Sequence, residues 1–190
     1  TWRATEQGLV ELARSSDPAL APFAGQVLVR VHADGRSVEL KDALTLQRSA
    51  RWVIDDAARA RHHGLHQQLD ELLTQPTVLL EFAGGRSALV QPSVRGFAGL
   101  PALYWLLSGL ALLLFLIAMV VLMAKPNGRN LLYAFIAACQ AGNLVFIAIE
   151  STLELALPGA FARLNLPVRV GFDLLTAAAI VNAGAVHPRR

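Results

Sequence analysis

Four polar side chains stand where the chain is otherwise apolar: Gln140, Asn143 and Glu150 within the run CQAGNLVFIAIESTLELALPG, and Asp173 further on. At about 100° per residue on a helix, Gln140, Asn143, Glu150 and Glu154 fall within roughly 80° of one another, together with Ser151. In the later run Asp173, Thr176, Gly184 and His187 share a face, while Asn182 lies opposite. A polar group left in hydrocarbon costs several kcal/mol, so such faces turn toward a neighbouring helix or a cavity. Two chemistries fit the pattern. Gln140 and Asn143 can hydrogen-bond across a helix pair, with Glu150 and Glu154 at the outer interface. Alternatively Glu150, Asp173 and Asn143 build a ligand or proton site, since an intramembrane carboxylate is a functional candidate by default. Packing is the reading for Gln140 and Asn143, and Glu150 stays open between packing and a sensory role.

Other combinations carry less. The run HHGLH offers His62, His63 and His66, two of them one helical turn apart, but no cysteine or HExxH pattern accompanies them. A solvated helix face is the expectation there, with no metal and no cofactor. Ser108 precedes Gly109, yet Leu106 stands where a Gly-x-Ser-Gly protease motif needs its first glycine, and small residues are ordinary packing elements in membranes. No phosphate-binding glycine pattern, nucleophile elbow or kinase motif occurs. Cys139 is the single cysteine and makes no intrachain disulfide.

The elements that must position the polar stripe follow from hydropathy. The 190 residues are 54% hydrophobic, too apolar for an ordinary soluble domain, and the apolarity is concentrated. Residues 1–98 hold eleven basic and eleven acidic residues, so the net charge of +3 belongs to residues 99–190. A neutral first half lacks the clustered basic footprint of nucleic-acid binding, so no nucleic-acid partner is expected. From Gly96 to Ala124 there is no charged residue, enough to cross about 30 Å of hydrocarbon as a helix. Tyr104 and Trp105 open this run as interfacial aromatics, and KPNGRN makes a polar turn. Asn130 to Ile149 is a second uncharged run, and Pro167 to Val186 a third. The expectation is three transmembrane helices at about 101–124, 130–150 and 168–187, in a domain spanning 99–190.

Residues 1–98 read as one small α+β domain. TEQGLVELARS has helical spacing of Leu9, Val10, Leu12 and Ala13. GQVLVRVHADGRSVEL alternates and turns at Asp34-Gly35, a strong hairpin signal, and TVLLEFAGGRSALVQP is a second hairpin turning at Gly84-Gly85. IDDAARARHHGLHQQLDELLTQ between them is an amphipathic helix, expected to be interrupted or kinked near Gly64. Basic residues in short loops give the orientation: Lys125, Arg129, Arg189 and Arg190 on one side against Arg163 and Arg169 in the loop between spans two and three. That places the 125–129 turn and the C-terminus in the cytoplasm and residues 1–98 outside. With no Met before Thr1, the chain is expected to be a piece of a longer protein.

The stretch GRSALVQPSVRGFAGLPALYWLLSGLALLLFLIAMVVLMAKPNGRNLLYAFIAACQAGNLVF combines a hairpin, an Arg-Gly-Phe step and two spans joined by a basic-Pro-x-x-Arg turn. This layout, covering most of 77–190, resembles the amino-terminal membrane region of bacterial sensor histidine kinases and related receptor-like signalling proteins. The resemblance implies a small periplasmic domain, PDZ-like or otherwise, over an inner-membrane module in the lipid bilayer. It further implies a homodimer, a small ligand or partner protein at the outer domain, and catalytic domains beyond these residues, which themselves carry no activity. The rival expectation is a transport or membrane-assembly protein that uses the polar stripe as a pathway.

Overall fold

The computed structural model of the chain describes residues 1–93 and 96–185. Arg95 of the Arg-Gly-Phe step, His187, Arg189 and Arg190 lie outside the described residues. The amino-terminal stretch expected to be helical is instead a hairpin, β1 (Trp2–Ala4) with β2 (Val10–Leu12), paired antiparallel. Period two wins over period 3.6 here: Val10 and Leu12 are fully buried while Glu11 between them turns out to meet Arg3 across the ladder at 2.7 Å. Gly8, at φ 73°, supplies the left-handed residue that the connecting turn needs.

The main sheet runs β4-β3-β5-β6, antiparallel throughout: β3 (Leu28–Ala33), β4 (Arg36–Glu39), β5 (Val78–Phe82) and β6 (Ser87–Val90). Both expected hairpins are present. Asp34 and Gly35 turn at φ 48° and 70°, and Gly84 and Gly85 at 85° and 74°, the signs that match the right-handed strand twist. Helix α1 (Asp56–Leu73) crosses from β4 to β5. The Asp55 side chain caps it by accepting from the Ala58 amide at 2.6 Å. Contrary to the sequence expectation, α1 continues through Gly64 without a break. One glycine costs a helix only about 1 kcal/mol, which the tertiary burial of α1 offsets. Phe82, stacked on Phe23 with ring centroids 4.5 Å apart, sits in a core with Val10, Leu12, Leu28, Leu69 and Leu155.

Three helices follow that are long and apolar enough to cross a membrane: α2 (Ala102–Ala124), α3 (Gly128–Glu150) and α4 (Gly159–Ala185). The chain is therefore a small α+β domain followed by an all-α membrane part with three transmembrane helices. Asn127 starts α3 by accepting from the Asn130 amide at 2.8 Å, directly after the turn at Pro126. α2 and α3 pack along one another. Their buried residues include alanines seven apart, Ala111 and Ala118 on one helix and Ala134, Ala141 and Ala148 on the other. Small side chains at that spacing let two backbones approach closely, the usual solution where lipid offers no hydrophobic driving force. Leu106, Leu112, Leu113 and Leu116 remain exposed on α2, as lipid-facing residues should.

α4 differs from expectation. It begins at Gly159, nine residues before the anticipated start near 168, and contains Pro167. Proline removes one amide donor from the helix interior, a loss tolerated in spanning helices where neighbouring groups satisfy the freed carbonyl. The residues divide into two units, Thr1–Gly96 with Leu153–Leu164, and Phe97–Thr152 with Asn165 onward. The first turns of α4 thus belong to the α+β unit and the rest to the membrane unit.

Candidate functional site

In the membrane unit the polar stripe of α3 meets a matching stripe on α4. Gln140 donates through Nε2 to Thr176 Oγ1 at 3.0 Å, and Asn143 through Nδ2 to Asp173 Oδ1 at 3.0 Å. Between them Gly142 leaves room for Phe172; a Cβ at residue 142 would lie 2.6 Å from that ring. Further along, Glu150 ends α3 and its carboxylate receives Arg169 Nη1 at 2.9 Å on both oxygens. Asn165 Nδ2 also donates to Glu150 Oε1. Glu150 and Arg169 are only 5% and 6% exposed, so the pair is shielded from water on all sides that protein covers.

Of the residues singled out from sequence, Asn143 and Asp173 are brought together, whereas Glu150 stands apart from both with its own partners. Glu154 lies beyond the end of α3, in the connection to α4, and is exposed. Asn165 and Arg169 were not anticipated: Arg169 was counted with the loop between spans two and three, and Asn165 precedes the expected third span. A signal for them exists. Asn165, Arg169, Asp173 and Thr176 follow one another at four, four and three residues, a single helical stripe continued backward from Asp173.

Each polar side chain of the cluster has a partner, although Asn143 Oδ1 and Asn165 Oδ1 are buried without a hydrogen bond among the described residues. Taking an ion pair out of water costs about as much as its attraction returns, so the pair adds little net stability while intact. Removing one partner strands the other charge.

A second set of contacts lies within the α+β unit. The buried stripe of α1 is His62, His66, Leu69 and Leu72, so the histidines occupy core positions and not the solvated face expected from sequence. Leu69 and Leu72 continue the same face, and burying it outweighs the cost of two imidazoles, each with a hydrogen-bonded ring nitrogen, although His66 Nε2 stays buried without a partner among the described residues. His62 Nε2 lies 2.9 Å from the Gln47 carbonyl, and the rings of His62 and His66 are 4.3 Å apart. His66 Nδ1 accepts the Leu157 amide at 3.0 Å. One helical turn on, Asp70 Oδ2 accepts the Gly159 amide at 2.8 Å. Gly159 opens α4 and Pro158 before it has no side-chain acceptor, so Asp70 serves as the cap, a carboxylate at the positive end of the helix dipole. Leu155 and Leu157 are buried, Leu155 in the domain core. The segment joining α3 to α4 is folded into the domain as one of its parts.

Burial pushes the His66 imidazole down to about 3, with the nearby His62 and His63 adding to the effect. A protonated Nδ1 would be a donor facing the Leu157 donor, so the fold holds the neutral form. In the unfolded chain the same imidazole takes up its proton near pH 6.5. The unfolded state therefore binds more protons between about 6.5 and 3, and stability is lost as the pH is lowered through that window. Each unit costs about 1.4 kcal/mol, so the domain should lose about 2 kcal/mol between pH 7 and pH 5. Thermal unfolding followed at both pH values checks this. In His66→Gln, which keeps an acceptor but no titration, that slope should flatten; an unchanged slope would assign it elsewhere. Glu81 works at lower pH, its carboxyl held below the usual range by the hydrogen bond from His32 at 2.9 Å.

Comparison with known proteins finds no matching family model, no matching curated sequence and no matching solved structure, so the functional reading rests on these contacts.

Proposed function

We propose that this chain is the membrane input region of a bacterial signal-transduction protein of the sensor histidine kinase type, with the α+β domain outside the inner membrane. The observation that carries the proposal is the division of α4. Its first turns are capped and held by α1 of the domain through Asp70, beside the His66 contact to Leu157, while its later turns carry Asn165, Arg169, Asp173 and Thr176 to α3. A cue that changes the domain acts on the same helix whose side chains set the packing of the spans. The mechanism is a population shift between two packings of α3 and α4, passed along α4 itself.

Orientation follows the basic residues of short loops. Arg169 pairs with Glu150 inside the bundle, so it no longer counts for the loop between α3 and α4. The excess of positive charge at Lys125 and Arg129 is correspondingly larger, which favours a cytoplasmic α2–α3 turn. The transport alternative asks the stripe for open polar groups along a path; here Gln140, Asn143 and Glu150 each hydrogen-bond to α4, and Asn143 Oδ1 and Asn165 Oδ1 are the buried acceptors left open among the described residues. The reading expects a cytoplasmic kinase or cyclase domain encoded in the same gene; further spans with no soluble output domain would overturn it.

Coupling is tested with spin labels at Val145 and Val170, both exposed on the bundle, in a Cys139→Ala background. Asp70→Ala removes the cap on α4 without touching the bundle. The distance distribution between the labels should gain or enlarge a second population by about fivefold or more. An unchanged distribution in a folded variant would reject transmission through α4.

A further inference from the structure

At the other end of the membrane unit, α3 and α4 part to form a cleft of about 590 Å³ lined by Asn127, Arg129, Leu131, Leu132, Tyr133 and Asn182. The register set by the Gln140–Thr176 and Asn143–Asp173 contacts, continued by two turns, brings Tyr133 level with Ala183, which also borders the cleft. One end of the cleft is therefore the polar start of α3, and its walls along the span are leucine. We infer that this cleft holds one anionic phospholipid, its phosphate at Arg129 and Lys125 and an acyl chain along Leu131 and Leu132.

Charge is the first argument. No acidic residue occurs between Glu81 and Glu150, and Glu150 at the far end of α3 pairs with Arg169, so nothing in α2, α3 or their turn neutralises Lys125 and Arg129. Among the described residues neither makes an ion pair. The second is preorganisation. The guanidinium of Arg129 lies 5.4 Å over the Tyr133 ring and its Nε donates to the Tyr133 hydroxyl at 3.2 Å. That contact fixes the side chain at the cleft and leaves both terminal nitrogens for a phosphate, which matches their fork geometry. The third is the shape of the ligand. Leu131 is 56% exposed and Tyr133 44%, an apolar wall directly below a basic rim, as a headgroup with its chain requires and a soluble anion does not. Basic pockets between spanning helices at the level of the headgroups are the expected receptors for anionic lipid. The inference is independent of the signalling proposal and of which leaflet the cleft faces.

The full chain, purified in mild detergent with an equimolar mixture of phosphatidylglycerol and phosphatidylcholine, is examined by native mass spectrometry for retained lipid. One phosphatidylglycerol should remain bound in preference to phosphatidylcholine. Retention should fall about fivefold for each charge removed in Lys125→Gln and Arg129→Gln. Ala183→Phe, which narrows the cleft and leaves both charges in place, should lower it as well. Inorganic phosphate at the lipid concentration should not displace the lipid; displacement would make the site one for free phosphate and overturn the lipid assignment. Equal retention of the two lipids, or undiminished retention in all three variants, would equally overturn it.

Discussion

Glu150→Gln should destabilise the folded bundle by about 3 kcal/mol, among the largest effects of any single substitution in the membrane unit. The glutamine keeps the shape of the side chain and one acceptor for Asn165, but it leaves Arg169 charged and buried with no counter-ion. Side-chain exposures of 8% and 7% for Arg169 and Glu150 leave water little access to the stranded charge. A second substitution should restore most of the loss: in Glu150→Leu with Arg169→Leu neither charge remains to be compensated. By contrast Asn143→Leu removes one hydrogen bond from an uncharged donor, with membrane hydrogen bonds worth about 0.6 kcal/mol on average and up to roughly 1.7. Titration with denaturing detergent, following helix content, measures all three. A Glu150→Gln protein within 1 kcal/mol of the parent would mean that Arg169 reaches water or headgroups, and the buried pair would be discarded. The same arithmetic bears on signalling, because a lost response in Glu150→Gln alone would report unfolding as readily as lost sensing. The double leucine variant is the one whose response is informative.

Leu155→Ala should cost the α+β domain about 2–5 kcal/mol, although residue 155 follows the second span and lies far in sequence from the domain. Leu155 is 5% exposed and packs in the same core as Val10, Leu28 and Phe82. Its truncation leaves a cavity in the domain and loosens the segment that carries Leu157 to His66 and Gly159 to Asp70. Hydrogen exchange in β3 and β5 should accelerate along with that of residues 153–158. Exchange that rises in 153–158 alone would show a connection merely lying on the domain.

The hairpins at Asp34-Gly35 and Gly84-Gly85 were legible because positive φ at a two-residue turn leaves few residue choices, and the turns recur in the structure at those positions. The spans were legible because a membrane demands long uncharged runs. The β1–β2 hairpin was missed because Leu9, Val10, Leu12 and Ala13 satisfy a helical period as well as an alternating one over so short a window. Only the burial of Val10 and Leu12 decides between them. The histidines of α1 looked solvated because three polar rings adjoin a glycine, yet His62 and His66 fall in step with Leu69 and Leu72, and that face is buried. On the stripe, sequence marked the α3 half and Asp173. It missed Asn165 and Arg169 because the third span was started near 168 and Arg169 was counted with the loop, whereas α4 begins at Gly159 and runs through Pro167.

Folding residues 153–164 into the α+β domain requires that residues 1–96 and that segment share one side of the membrane, with the α2–α3 turn on the other. Single cysteines at Gln7, Pro126 and Ala160, in a Cys139→Ala background, can be labelled in intact cells with a membrane-impermeant maleimide. Gln7→Cys and Ala160→Cys should label together from outside, and Pro126→Cys only after the membrane is opened. Labelling of positions 7 and 160 from opposite sides would contradict the shared domain, and with it a signal carried from that domain along α4.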